Sequence, residues 1–560
     1  MFIISFLELF IKYVIFYIYL YLVGRSLFVI VPYLNKNKID NKLLYVNIDI
    51  LYPLFGFIIF GNGLFIINTF LPIGSIYVVI FVVLLIIPAI VKIKLFIRSL
   101  NFKKLNKKFL LYYLAIPSLL VISTFDIAFN YDAGYYHLLH QNWLRNSNLI
   151  IGMVNIFWPF GMSSIYEYVS AFLWFDTSFV LLHFINLFFI HFFYLFLGQN
   201  IIESNNKYLA NSSIFVLLFS LFDNFGLGGG RNGYIYIQGV TKQDVTVGIL
   251  FFFLALVIFL KIKDSNITNQ EIVIVSFLLF FIYQIKVSGV LIVYLYLILL
   301  INQILKKRHN FTELIKLNFP VLILAISWIL KSVYTTGCLI YPVNITCIEV
   351  FDWYIDGSTE SFEGITKQAS LAFDGTLPFL EWMQIAGSFE YRNQVFSNFL
   401  ISILILIFIK FTLFKKSEIK NSLKFVGLSF IFFSLLYLIY FGPIPRYAVG
   451  ICIFSASFIG LLSSDRKHKI SNNFAFVLLF ISALFLVRST AYSAFLNNNE
   501  LKIFDPRTNY EINYEIGFEK LSEDWVAPLD ADQCWANIKC TASKDIIEFG
   551  NAGIFKIAYK

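Results

Sequence analysis

Apolar residues fall in long blocks separated by short polar and basic links. A helix needs about 20 apolar residues to cross roughly 30 Å of hydrocarbon, and fewer where its neighbours shield it. Fourteen stretches qualify, beginning near Phe2, Ile48, Ile76, Phe109, Phe179, Leu209, Val245, Ile272, Val287, Phe319, Phe399, Phe425, Tyr447 and Phe474. The first continues to about Val31 without a small-residue cleavage site, and reads as a retained anchor rather than a removable signal peptide. The pattern predicts an all-α polytopic membrane protein of about 12–14 transmembrane helices. It divides into N-terminal transmembrane helices over 1–98, a transmembrane core over 99–495 with external loops 126–178 and 337–398, and a small extracytoplasmic C-terminal region over 496–560.

Basic residues orient these spans. With fourteen crossings and both termini outside, the clusters at 36–42, 92–108, 207, 261–263, 306–308, 415–424 and 466–469 all fall inside, as the positive-inside bias requires. The stretches 126–160, 224–243 and 337–398 and the tail after 491 fall outside. A short apolar stretch at 162–175 tests the scheme, because letting it cross would invert every later loop. Its Tyr166, Glu167, Tyr168 and Trp174 place it instead as an amphipathic helix on the outer interface.

Composition narrows the class further. Of 560 residues, 59% are hydrophobic and 14% charged, more apolar surface than a water-soluble fold can hide. The formal charge of +9 sits in short clusters between apolar runs, which orients a membrane protein and offers no continuous face to nucleic acid. No P-loop or dinucleotide fingerprint is present, which argues against an ATP-driven pump. Cys338 and Cys347 share one outer loop and Cys534 and Cys540 share the outer tail, so two local disulfides are expected, with four free thiols as the alternative; Cys452 is left in a membrane segment.

Candidate chemistry gathers on the outer side. The loop TFDIAFNYDAGYYHLLHQNWLRNSNLIIGMVNIFWPFGMSS places Asp126 and Asp132 just beyond a membrane helix. If 133–145 is helical, Tyr136, His137, His140 and Arg145 partly share a face, and Asp132 sits at the N-cap, which is also its plainest structural role. The segment GLGGGRNGYIYIQGVTKQDVT adds Arg231, Lys242 and Asp244; Lys286 lies in IKVSG between two short spans, and Arg446 in GPIPRY. Such cations facing the outer leaflet suit a lipid-linked phosphate, with headgroup contact and snorkelling as the plainer explanation of each. Lys286 stands out, since a charge between adjacent spans is costly without a partner or a water-filled cavity. Asp126, Asp132, His137 and His140 could ligate a divalent ion, though no spacing demands one.

These features resemble the GT-C membrane glycosyltransferases: a helix ending in an external Asp, an outer amphipathic segment with a Pro-Phe-Gly turn, and many later spans. YDAGYYH, NIFWPFGMSS, IKVSG, GCLIYP, PIPRY and DQCWANIKC more closely resemble an uncharacterised bacterial multi-pass family related to those enzymes. The resemblance implies a GT-C-like core and Asp132 as the base that deprotonates an acceptor hydroxyl, with Asp126 second. The donor sugar would hang from a polyprenyl phosphate, and Lys286, Lys242 and Arg446 would stabilise the departing phosphate. No clear Asp-X-Asp or Glu-X-Asp pair lies near the loop, which leaves metal dependence open and no cofactor implied. The partners implied are a polyprenyl-phosphate-linked sugar, a glycan or lipid acceptor and membrane lipids, at the cytoplasmic membrane with the site facing the periplasm or exterior. An O-antigen-type polysaccharide polymerase is the nearest alternative. A lipid or polysaccharide transporter is the second, although few ionisable residues, chiefly Glu8, Lys12, Arg25 and Lys331, lie within spans.

Overall fold

The computed structural model describes residues 2–31, 42–92, 107–126, 129, 131–174, 180–204, 206–222, 235–237, 239–373, 375–388, 390–416, 419–466, 472–496, 517–529 and 533–560. Its principal helices are α1 (Phe2–Ile30), α2 (Ile48–Asn68), α3 (Leu138–Asn146), α4 (Ile165–Leu173), α5 (Val180–Ile202), α6 (Lys207–Phe222), α7 (Asp244–Asp264), α8 (Asn269–Ile285), α9 (Val293–Leu305), α10 (Phe311–Thr336), α11 (Glu390–Leu413), α12 (Asn421–Phe441), α13 (Val449–Leu461) and α14 (Asn472–Leu496). Among the described residues nine helices are long and apolar enough to cross a membrane, and five further apolar helices have 10–17 residues. Together they fall on the fourteen apolar stretches of the sequence. The protein is an all-α polytopic membrane protein.

Burial sorts the helices into a core and a rim. The central window of α7 is completely buried and that of α5 is 94% buried, against 17% for α10 and 22% for each of α11 and α12. A helix apolar on every side belongs in the middle of the bundle, as α7 is. The rim helices turn apolar stripes outward instead: Ile315, Phe319, Leu322, Ile326 and Leu330 follow one face of α10 and are exposed. In water such a stripe would drive association; in hydrocarbon it is the matched surface.

The helix α8 ends at Lys286, whose backbone is extended at φ −159° and ψ 135°, and the chain resumes through a tight turn at Val287–Ile292 into α9. Gly289 permits this break, since a Cβ there would lie 2.2 Å from Ile282 Cγ2. The interruption leaves Lys286 at a gap between two helical segments rather than midway along a continuous rod.

The short helix α4, expected on the outer interface, is enclosed by its neighbours in the protein. Eight of its residues are buried, and it packs against α2, α3, α5 and α8. Nine residues are too few to cross the bilayer, and the reason α4 is enclosed is chemical: Glu167 is captured by side chains preceding and within α3.

Both expected disulfides are present, Cys338–Cys347 and Cys534–Cys540, and Cys452 is free and buried. The described part of the tail docks onto the loop after residue 131. Three short strands, β1 (Ile150–Ile151), β2 (Glu548–Ala552) and β3 (Phe555–Tyr559), form a sheet of order β1-β3-β2, with β1 and β3 parallel and Ile150 opposite Lys556. Trp535 N donates to Gly134 O at 2.8 Å and Asn142 Nδ2 to Ala536 O at 2.7 Å. Gly134 has no room for a side chain, since a Cβ would meet Gln533 Oε1 and Trp535 Cε2 at 2.5 Å each.

Candidate functional site

Asp132 precedes a π-helical turn over Ala133–His137 that runs on into α3, but its side chain makes no cap hydrogen bond. It is ion-paired and hydrogen-bonded to Lys242 instead. Chain segments far apart in sequence bring the two together. Phe129 and Val240 form a parallel bridge, and Asn186 of α5 donates to Gly239 O at 3.1 Å. Thr241 then turns with φ 75°, a left-handed conformation costing a β-branched residue about 1–3 kcal/mol, which the bridge on one side and α7 on the other hold in place.

Three residues on, Asp244 opens α7. It is ion-paired to Lys286 at the helix break and lies 3.9 Å from Arg446 Nε. Lys286 Nζ stands 4.0 Å from the centre of the Tyr447 ring, and Arg446 Cζ 5.4 Å from it. Asp244 is only 5% exposed, a depth at which a carboxylate needs these partners, with the α7 N-terminus adding to them. Two carboxylates thus face three cations, leaving one net positive charge.

A small cleft opens beside this cluster. Its polar end carries Asp244, Arg446 and Tyr447, and its walls include Phe251, Leu291 and Leu438 from three different elements. The arrangement is amphipathic: a charged end beside apolar walls.

Glu167, buried on α4, forms a second polar group. It accepts from Gln141 Nε2 at 2.9 Å, and His137 Nδ1 lies 2.5 Å from its other oxygen, while His140 Nδ1 stands 3.9 Å away. Burial pushes the Asp132 carboxyl upward, but Lys242, with His137 and Arg446 further off, outweighs it and holds the group below its ordinary pKa. Glu167 shows the same contest, won by His137, His140 and Gln141. Burial depresses His140 to about 3, so it is neutral at physiological pH.

The cluster therefore brings together Asp132, Lys242, Asp244, Lys286 and Arg446, with His137 at its edge. Arg145 lies apart: it donates to Ala171 O at 2.7 Å and stands 5.7 Å over the Trp174 ring. His140 stacks on Phe160 beyond Glu167. Arg231 and the Asp126 side chain lie outside the described residues. The sequence placed Glu167 in an interfacial helix and Tyr447 at the start of a span, and neither in the site; a carboxylate within an otherwise apolar helix was the available signal for the first, because burial demands partners. Among the described residues no three His, Cys, Asp or Glu side chains converge on a metal-sized space.

The fold and site define a multi-pass α-helical membrane protein with a paired-charge cluster at the mouth of an amphipathic cleft. The chain belongs to the family described as a domain of unknown function (DUF8201), matched over residues 6–453. That match takes in the first spans, which the short motifs did not reach, and all five residues of the cluster, and it stops before the tail. No curated protein and no solved structure matches the chain.

Proposed function

We propose that this protein is a membrane glycosyltransferase that moves a sugar from a polyprenyl-phosphate-linked donor to an envelope glycan or lipid acceptor on the outer side of the membrane. One observation carries the reading: Arg446, and the Asp244 carboxylate to which Lys286 is paired, line a cleft whose other walls are largely apolar, a match for an amphiphile with an anionic head and an isoprenoid tail. The donor phosphate would compete with Asp132 and Asp244 for Lys242, Lys286 and Arg446. Release of Lys242 frees the ionised Asp132 carboxylate to act.

The step is an inverting displacement. Asp132 takes the acceptor hydroxyl proton, the acceptor oxygen bonds to the anomeric carbon, and the bond from that carbon to the phosphate oxygen breaks. Polyprenyl phosphate leaves with the electron pair, its charge met by the cations. A buried electrostatic partner of this kind is worth most where water is excluded, which the enclosed face of Asp244 favours.

Mass spectrometry of lipid-linked and surface glycans tests this in host cells carrying wild type, a deletion, or Asp132→Asn at matched membrane abundance. The expected result is loss of one sugar in both altered strains with accumulation of its polyprenyl phosphate donor, and a rate for Asp132→Asn lower by about 10²–10⁴. A changed chain length with Asp132→Asn unaffected would favour the polymerase. The break in the helix at Lys286 is the observation that favours a transporter, since interrupted helices place charges along substrate paths; altered export without donor accumulation would support it.

A further inference from the structure

A second, small cavity shares no lining residue with the cleft beside the Asp132 cluster. It is walled by the end of α2, by α3 and α4, by the loop after residue 147 and by α10. Lys331 of α10 lines it, 7% exposed, and among the described residues its ammonium has no ion pair or hydrogen bond. Its nearest company is aromatic: the Trp328 ring centre at 5.0 Å and that of Tyr168 at 5.9 Å. Glu167 is within electrostatic reach but makes no ion pair with Lys331, and its oxygens are occupied by His137 and Gln141.

Two other residues with N–H donors line the same cavity. Trp143 Nε1 is buried without a hydrogen-bond partner, and His140, 2% exposed, makes no hydrogen bond among the described residues while its ring stacks 5.1 Å from that of Phe160. A buried ammonium and an unused indole N–H each carry a desolvation cost that a protein ordinarily offsets with a partner. Here the groups lacking partners belong to residues that line one cavity.

We propose that this cavity is a binding site for a compact oxyanion, a carboxylate or phosphate group, held by Lys331, Trp143 and His140. The site is distinct from the Lys242, Lys286 and Arg446 cluster and does not depend on what that cluster does. Charge-assisted hydrogen bonds from the ammonium supply the affinity, and the fixed indole N–H sets the orientation.

Full-length protein in neutral detergent at low ionic strength would be titrated with inorganic phosphate and, separately, with acetate, each against matched sodium chloride, with Tm followed by intrinsic fluorescence. A saturable rise in Tm beyond that in chloride is expected for at least one of the two, and which one responds separates a phosphate source from a carboxylate source. Lys331→Met should abolish the response and Trp143→Phe should weaken its midpoint by about tenfold, while Lys242→Met retains it. Equal responses in chloride, or wild-type responses in both Lys331→Met and Trp143→Phe, overturn the proposal. So does a response lost in Lys242→Met and kept in Lys331→Met. If Lys331→Met does not fold, Trp143→Phe decides.

Discussion

An aspartate ahead of a helix ordinarily turns back to the first free N–H groups, whereas Asp132 reaches across to Lys242. Its folded pKa lies below the unfolded value, so the pair's contribution to stability is present at neutral pH and is lost as pH falls through about 4 and below. Asp132→Asn should cost about 1–2 kcal/mol at neutral pH, less than for a fully enclosed pair because the Asp132 side chain is 30% exposed. Thermal unfolding in detergent measures this, with the exchange Asp132→Lys plus Lys242→Asp recovering part of the loss and the gap between wild type and Asp132→Asn closing at acid pH. A gap that persists at acid pH would mean the residue acts through packing. Lys242, Asp244, Lys286 and Arg446 were legible in the sequence because a charge next to an apolar run demands an explanation. Their pairing was not, since it depends on Phe129 meeting Val240, and Glu167 reads in the sequence only as part of an interfacial helix because its partner His137 is fixed only by the fold.

At the level of the element, apolar run length is a local property, and all fourteen stretches became helices for that reason. The 162–175 stretch was harder: the basic loops that follow it argued against crossing, but the enclosure of α4 arises from neighbours distant in sequence. The break between α8 and α9 depends on one close approach. Gly289→Val should therefore be destabilising by about 1–3 kcal/mol through its clash with Ile282, and Ile282→Ala should restore part of that loss in the double variant. Additive effects in thermal unfolding would show that the contact is not what limits position 289.

For the molecule as a whole, the parallel pairing of Ile150 with Lys556 limits how the intervening chain is threaded. Two strands of one sheet share one aqueous compartment, so the membrane must be crossed an even number of times between them. Ten apolar helices lie in that interval among the described residues, an even number that closes the circuit, and counting α4 as an eleventh would strand β3 across the bilayer from β1. Single cysteines introduced at Asn148 and Ile554, in a background lacking the native cysteines, should label with a membrane-impermeant maleimide from the same side. Labelling from opposite sides would break the sheet, whichever way the protein faces. Parity thus becomes a constraint on topology that owes nothing to the distribution of lysines, and it ties the threading of the middle of the chain to a pair of hydrogen-bonded strands outside the bilayer.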